Sequence, residues 1–148
     1  MVDLKTQYLK IEDEIDRAIK EVILNSSFIN GSSVKEFASE LGNHLEIEHV
    51  IPCGNGTDAL QIALMALDLK PGDEVITSTF SFIASAEVIT LLKLKPVFVD
   101  VDTKNFNIIP SEIEKAITKK TKAIIPVHLY GQCAPMEEIM TIANKNNL

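Results

Sequence analysis

Residues 54–78 read GNGTDALQIALMALDLKPGDEVITS. The segment opens with a glycine-rich turn, continues through a largely apolar stretch, and reaches a β-rich run after a Pro-Gly turn. Glycine and proline mark turns, while a long apolar stretch and a short run rich in Val, Ile and Thr are typical of a buried helix and a strand. We therefore predict a turn, a helix over 57–69 and a strand over 74–78.

The same alternation continues to residue 148. It predicts four strands, at His49–Cys53, Glu74–Ser78, Pro96–Val101 and Lys122–Leu129, and four helices, at Thr57–Leu69, Ser81–Leu92, Pro110–Ile117 and Pro135–Asn144. Strands that alternate with helices predict an α/β fold, with a mostly parallel sheet and helices on both faces. Pro52 cannot donate a ladder hydrogen bond, so we place its strand at the sheet edge or at a bulge. The first two helices are apolar almost all round, which indicates that further protein covers them.

Residues 1–48 are predicted to form a separate N-terminal helical segment before an α/β domain at 49–148. One long amphipathic helix is predicted from a stripe of apolar residues at helical spacing: Leu4, Tyr8, Ile11, Ile15, Ile19 and Val22. Ser33 and Glu36 have the spacing of a capping box for a second helix. That helix is predicted to turn an apolar face inward, formed by Val34, Phe37, Ala38 and Leu41.

Composition excludes several classes of protein. With 46% hydrophobic and 24% charged residues among 148, the chain should be globular, and no apolar run approaches the roughly 18 residues of a membrane span. Its net charge of −7 would repel a nucleic-acid backbone. Cys53 and Cys133 lack the spacing of a metal site or disulfide framework, and no secretory signal is visible at the N-terminus. We expect a cytoplasmic protein without metal, membrane or nucleic-acid partners.

The turn at 54–57 is predicted to bind an anion. The first amides of a helix have no intrahelical acceptor and lie at the positive end of its dipole, and glycine allows close approach. A plain helix cap made by Thr57 is the simpler alternative. Gly54, Gly56 and Ala59 also match G-x-G-x-x-A, a dinucleotide fingerprint, but that site needs an acid at the end of the next strand. Here Asp73 and Glu74 lie at the start of that strand, which weakens the dinucleotide alternative.

Other candidate groups follow the later strands, at the sheet edge where open parallel sheets bind ligands. Phe80 and Phe82 could stack on a flat cofactor or could fill the core. His128 could be functional, or a structural histidine held by a hydrogen bond, and Tyr130 lies beside it. A further acidic pair, Asp100 and Asp102, is interpreted as capping the next loop and not as a metal site.

Several segments together resemble DegT/StrS-type sugar aminotransferases. They begin with Val2–Tyr8, Phe28–Gly31 and Val34–Phe37, and continue through Gly54–Leu60, Pro71–Ile76, Pro96–Asp102 and Pro126–Gly131. The resemblance implies an aspartate-aminotransferase-like fold, in which 49–148 is an incomplete part of the large, cofactor-binding domain. It implies transfer of an amino group from glutamate to a keto group of a nucleotide-linked sugar, in polysaccharide or deoxyaminosugar biosynthesis. A homodimer is also expected.

The resemblance further implies that pyridoxal 5′-phosphate is the cofactor. Gly56 and Thr57 would bind its phosphate, Phe82 would stack on its ring, and His128 and Tyr130 would line the pocket wall. The chemistry also requires a lysine that bonds the cofactor and an acid that keeps its ring nitrogen protonated. Neither is recognisable here, and both are expected beyond Leu148. We therefore expect this chain alone to be inactive, and we keep two alternatives: a dinucleotide-binding module and a non-catalytic sensor or structural partner of the same fold.

Overall fold

The computed structural model describes residues 2–148, which divide into two compact units: the residues up to Pro52, and Cys53–Leu148. The first unit contains three helices, α1 (Leu4–Lys10), α2 (Glu12–Leu24) and α3 (Ser32–Leu45). The second contains three strands, β1 (Glu74–Ser78), β2 (Lys95–Val99) and β3 (Thr121–Ile125), and four helices, α4 (Gly56–Ala66), α5 (Ala84–Leu91), α6 (Pro110–Ala116) and α7 (Met136–Asn146). Among these helices none is long and apolar enough to cross a bilayer.

The strands form one parallel sheet in the order β2-β1-β3, so β1 is central. Ile76 of β1 is in register with Val97 on one side and with Ile124 on the other. This confirms the predicted α/β fold with a parallel sheet. The bounds predicted for β1 are those observed, whereas β2 and β3 are shorter at their carboxyl ends than the apolar runs suggested.

Helices cover both faces of the sheet because successive side chains of β1 point in opposite directions. Ile76 packs with the side of the sheet that carries α6 and α7, in a cluster with Val99, Ile108, Ile113, Ala134, Ile139 and Ile142. Val75 packs on the other side with residues of α4 and α5, in a cluster with Leu64, Val88, Ile89, Leu94 and Ala123. Three layers therefore hold β1 between two apolar cores.

The predicted strand at His49–Cys53 is wrong. These residues form no strand, and Ile51 is 77% exposed. A strand exists only where a neighbour pairs with its backbone, and Pro52 removes one of the donors that such pairing needs. The β-branched residues Val50 and Ile51 favour a strand, but no neighbouring strand pairs with them in the described chain.

The prediction of a single long N-terminal helix is also wrong, because the helix is broken in two. Ile11 departs from helical geometry, with φ −131° and ψ 20°, and separates α1 from α2. The Tyr8 hydroxyl donates to Asp16 at 2.8 Å across this break, and the neighbouring acids raise the pKa of Tyr8 to about 12, with the hydrogen bond to Asp16 as the main cause. Apolar spacing continues through the break, so periodicity alone does not locate it.

The capping box predicted at Ser33 and Glu36 does not form. Helix α3 begins one residue earlier, at Ser32, and its N-cap is Gly31, which offers no side-chain hydrogen bond. The face expected to turn inward is 38% exposed at Val34 and 56% exposed at Phe37, and it is half-buried at Ala38 and Leu41. The second unit likewise exposes apolar side chains of its two most apolar helices, namely Ile62 and Met65 of α4 and Leu91 of α5.

The amino-terminal edge of the sheet is held by a buried carboxylate. Glu74, the first residue of β1, accepts a hydrogen bond of 2.6 Å from the Thr118 hydroxyl and one of 3.0 Å from the Lys95 ammonium. Those two partners, Thr118 first, hold the pKa of Glu74 below its usual value. Since Lys95 begins β2 and Thr118 precedes β3, this carboxylate links all three strands.

We predict that Glu74→Gln flattens the acid limb of the stability curve. A depressed pKa in the folded state contributes stability that is present above the unfolded pKa and is lost as the pH falls through the folded pKa. Thermal unfolding from pH 7 to pH 3 should therefore show a smaller loss of Tm in Glu74→Gln than in the native chain. Glu87→Gln, at an exposed acid of α5, is the matched control and should retain the native profile. Equal pH profiles for all three chains would contradict this prediction.

Candidate functional site

The turn before α4 is held by Asn55, which is the N-cap of the helix in extended conformation, with φ −167° and ψ 175°. Its side-chain oxygen accepts from the Asp58 amide at 2.9 Å, and its side-chain nitrogen donates to the Asp58 carboxylate at 3.0 Å. The backbone oxygen of Asn55 accepts from Ala59 at 3.1 Å. The alternative in which Thr57 caps the helix is therefore wrong, because Thr57 lies inside the first turn.

Two amides of this turn remain available to a ligand. Within residues 2–148, the backbone N–H groups of Gly56 and Thr57 have no hydrogen-bond acceptor. The Thr57 hydroxyl has no hydrogen-bond partner there either. A Cβ built on Gly56 would meet no atom within 4 Å, so the space beside this residue is open. These donors lie at the positive end of the helix dipole, an arrangement that binds phosphate and other anions.

Three phenylalanines lie in the loops that follow β1 and β2. Phe82 is 76% exposed, and it contacts no other aromatic ring in the described chain. Phe80 packs against Phe106 from the next loop, with ring centroids 5.3 Å apart, and both rings are about half exposed. The alternative that Phe80 and Phe82 fill the core is therefore wrong: Phe82 offers an open ring face for stacking, which is how aromatic side chains bind flat cofactors.

His128 and Tyr130 follow β3 in the same loop. The Nδ1 atom of His128 accepts a hydrogen bond of 3.0 Å from the Ala134 amide, so this ring nitrogen is engaged in holding the loop. Tyr130 is 95% exposed and has a left-handed backbone, with φ 53°. A positive φ is uncommon for a bulky residue. In the described chain, no hydrogen bond or aromatic pair joins either side chain to Phe82 or to the turn at Gly56.

The acidic pair caps a loop, as predicted. Asp102 accepts from the amides of Lys104 and Asn105 at 2.8 and 3.1 Å, and these hydrogen bonds lower the pKa of its carboxyl. Asp100 accepts from Val101. Within the described part of the chain, no three His, Cys, Asp or Glu side chains are grouped to hold a metal ion. One buried polar atom at the carboxyl end of β1 is unpaired. The hydroxyl of Ser78 has no hydrogen-bond partner among residues 2–148.

The sequence of this chain matches a known protein family. A model of the DegT/DnrJ/EryC1/StrS aminotransferase family matches residues 9–148. The chain belongs to this family. The match confirms the resemblance, and it extends over most of the helical unit and all of the unit with the parallel sheet.

One relative of this chain is a "Pleiotropic regulatory protein" of Geobacillus stearothermophilus. The two sequences are 50% identical over 148 residues, and the alignment covers all of this chain and 40% of the relative. It is 49% identical over 144 residues to the UDP-2-acetamido-2-deoxy-3-oxo-D-glucuronate aminotransferase of Pseudomonas aeruginosa, covering 97% of the chain and 40% of that enzyme. The chain thus spans about two fifths of the length of these relatives.

A solved structure agrees. The crystal structure of ntda from Bacillus subtilis with bound cofactor PMP superposes with a TM-score of 0.90 at 39% identity, covering 94% of this chain and 32% of that one. The family fold is therefore present in these residues, as a parallel sheet flanked by helices.

Sequence reasoning identified the turn at Gly56 and Thr57 but missed the residue that shapes it. Asn55 followed by Asp58 three positions later has the spacing of a capping box, with Asn and Asp in place of Ser and Glu, and this signal could have found the cap. Phe106 was also missed, because nothing in the order of residues shows that its ring packs on Phe80 or that its φ is +59°.

Proposed function

We propose that this chain is the N-terminal portion of a pyridoxal-phosphate-dependent aminotransferase that moves an amino group from glutamate to a keto group of a nucleotide-linked sugar. The observation that carries the proposal is the pair of open amides at Gly56 and Thr57, at the start of a helix, in a member of an aminotransferase family. The relative from Pseudomonas aeruginosa supports a nucleotide-linked keto sugar as substrate through its name. Glutamate as donor follows from the family resemblance.

The residues present fit the cofactor's phosphate and ring. The amides of Gly56 and Thr57 and the Thr57 hydroxyl would hold the phosphate dianion, with the helix dipole adding to the attraction. Phe82, whose ring face is open, would stack on the pyridine ring and orient it. When bound, pyridoxal phosphate supplies the carbonyl that takes up the amino group and the ring that stabilises the negative charge formed next to it.

His128 and Tyr130 are assigned more distant roles at the pocket wall. The hydrogen bond from Ala134 to His128 keeps the loop after β3 in place, and this leaves the Tyr130 side chain exposed at the loop's tip. From that position Tyr130 can contact substrate, while His128 supports the loop that carries it.

The lysine required for transamination is not among the groups at this site. Lys95 begins β2 and is paired with Glu74, and Lys120 and Lys122 flank the first residue of β3, so these lysines lie at the strand starts. Phe82 instead follows the carboxyl end of β1, at the opposite edge. Lys104 lies in the loop after β2, at that same edge, but among residues 2–148 only its backbone amide, bonded to Asp102, makes a hydrogen bond. We therefore infer that these 148 residues by themselves do not transaminate and that the complete site needs residues of the remaining length of a family member.

The dinucleotide alternative loses its structural basis. A dinucleotide site requires a strand that leads into the glycine-rich turn and an acid at the end of the next strand. Among residues 2–148 no strand precedes Gly54, β1 ends in Ser78, and Glu74 at the start of β1 is engaged with Thr118 and Lys95. The second candidate is a non-catalytic regulator that keeps the phosphate turn, and the name of the Geobacillus stearothermophilus relative favours it.

We predict that the chain binds pyridoxamine phosphate saturably, does not bind NAD, and shows no amino transfer from glutamate to a keto sugar. Calorimetric titration with each ligand separately, followed by an assay for the aminated sugar, checks these results. Saturable binding of NAD alone would reverse the assignment, and measured turnover would overturn the claim of inactivity. For the regulator, borohydride reduction with pyridoxal phosphate and mass measurement gives a test. One specific pyridoxyl-lysine in this chain would exclude a non-catalytic role, and it would also overturn the inference that these residues lack the required lysine.

Assembly and location complete the proposal. The exposed apolar side chains of α4 and α5 support a homodimer, because such surface is usually covered by protein. Analytical ultracentrifugation tests this assignment. The free thiols of Cys53 and Cys133 are consistent with the reducing cytoplasm, which we propose as the location.

A further inference from the structure

We infer that Asn55 is a positioning residue of the phosphate turn, which holds the Asp58 carboxylate away from the bound anion. The inference rests on the proposed function, because it concerns the same phosphate site. The observation behind it is the two-way contact between these side chains: the amide oxygen of Asn55 accepts from the Asp58 backbone while its amide nitrogen donates to the Asp58 carboxylate.

An acid in the first turn of a phosphate-binding helix creates a conflict. A carboxylate there is favoured by the helix dipole in the absence of a ligand, but it repels a dianion that binds at the same helix end. Asp58 lies one residue after Thr57, which donates to the proposed phosphate. The position of its carboxylate therefore bears directly on the affinity of the turn.

The structure shows where that carboxylate is held. Its Oδ2 atom is bonded to the Asn55 side chain at 3.0 Å and lies 3.0 Å from the place where a Cβ on Gly54 would stand. The carboxylate thus packs against the backbone of Gly54, and the absence of a side chain there makes room for it. The Asn55 side chain supplies a donor to the charge, and Gly54 supplies the space.

The cap also decides which amides remain for the ligand. Because the Asn55 oxygen takes the Asp58 N–H and the Asn55 backbone oxygen takes the Ala59 N–H, the remaining first-turn donors are those of Gly56 and Thr57. Aspartate would cap equally well through an oxygen. An ionised aspartate has no donor to restrain the Asp58 carboxylate, so the amide of asparagine has a role beyond capping.

The test is a double-mutant cycle read by binding of pyridoxamine phosphate, with inorganic phosphate as a second probe, at pH 8 and low salt. Asn55→Gly adds no charge and removes the side-chain donor to Asp58. It should weaken binding by about tenfold, while the same substitution in the Asp58→Asn background should cost less than about twofold. The Tm of Asn55→Gly should remain near that of the native chain, because glycine in place of asparagine at an N-cap costs little stability.

Gly54→Ala is an independent variant, because its methyl group would displace the carboxylate without altering Asn55, and it should weaken binding in the same direction. Asn144→Gly, at an exposed position in α7, is the matched control and should bind as the native chain does. Equal losses from Asn55→Gly with and without Asp58 would overturn the inference and leave Asn55 as a cap only. Failure of the native chain to bind either probe would instead overturn the phosphate turn itself, and the role of Asn55 with it.

Discussion

Ile89→Ala is expected to lower the free energy of unfolding by about 2–5 kcal/mol, since truncating a fully buried Ile removes apolar contact and leaves a cavity. Ile89 lies on α5 with no exposed surface, and it packs with Leu64 of α4 and with Val75 of β1. It therefore joins two helices to the central strand. Urea denaturation followed by far-UV circular dichroism measures the change as a lower midpoint at constant slope.

Leu91→Ala is the matched control for that experiment. Leu91 is on the same helix, but it is 59% exposed, so its truncation should change the free energy of unfolding by less than about 1 kcal/mol. Similar losses for the two variants would show that the cluster around Ile89 is not the core of this unit. A much larger loss for Leu91→Ala would show that its exposed face is covered in solution, as a homodimer would require.

Gly56→Pro is expected to weaken binding of pyridoxamine phosphate by about 10- to 100-fold, because one hydrogen bond to a charged group is lost. Proline has no N–H, so the substitution deletes one of the two open amides of the turn. The helix itself should tolerate the change. Gly56 is the first residue of α4, where proline is favoured, and Asn55 before it already has the extended conformation that a following proline requires.

Gly56→Ala separates the amide from the glycine. It retains the N–H, and its Cβ would enter open space, so the protein alone offers no obstacle to it. We expect Gly56→Ala to bind pyridoxamine phosphate within about threefold of the native chain, with both variants equal to it in Tm within a few degrees. Native affinity in Gly56→Pro would show that the phosphate is held elsewhere, whereas equal weakening in both variants would indicate a steric effect and not a lost donor.

The fold was predicted most accurately where local pattern and tertiary pairing agree. The run Glu74–Ser78 is rich in β-branched residues and is bounded by turns, and it became the central strand with the predicted bounds. His49–Cys53 has a similar composition but forms no strand, because pairing depends on a neighbour that composition does not reveal. The break at Ile11 was missed for a related reason, since the apolar spacing of the two helices continues across it.

The candidate site divides in the same way. The order Gly-Asn-Gly-Thr before an apolar helix is enough to predict an anion at a helix start, because the free amides and the dipole belong to any helix. Which side chain caps that helix is a matter of hydrogen bonds, and three neighbouring residues, Asn55, Thr57 and Asp58, each carry a suitable oxygen. Only the three-dimensional structure shows that Asn55 caps the helix and at the same time donates to the Asp58 carboxylate.

The amino-acid order alone thus establishes the α/β class and the strand Glu74–Ser78, and it predicts an anion-binding turn, because these depend on short-range periodicity and on backbone groups that every helix exposes. Tertiary structure decides the rest: which runs find a strand partner, which strand lies at the centre of the sheet, and that Phe82 is exposed while Phe80 packs on Phe106. Those features depend on contacts between residues far apart in the chain, and such contacts follow from packing and not from the local order of residues.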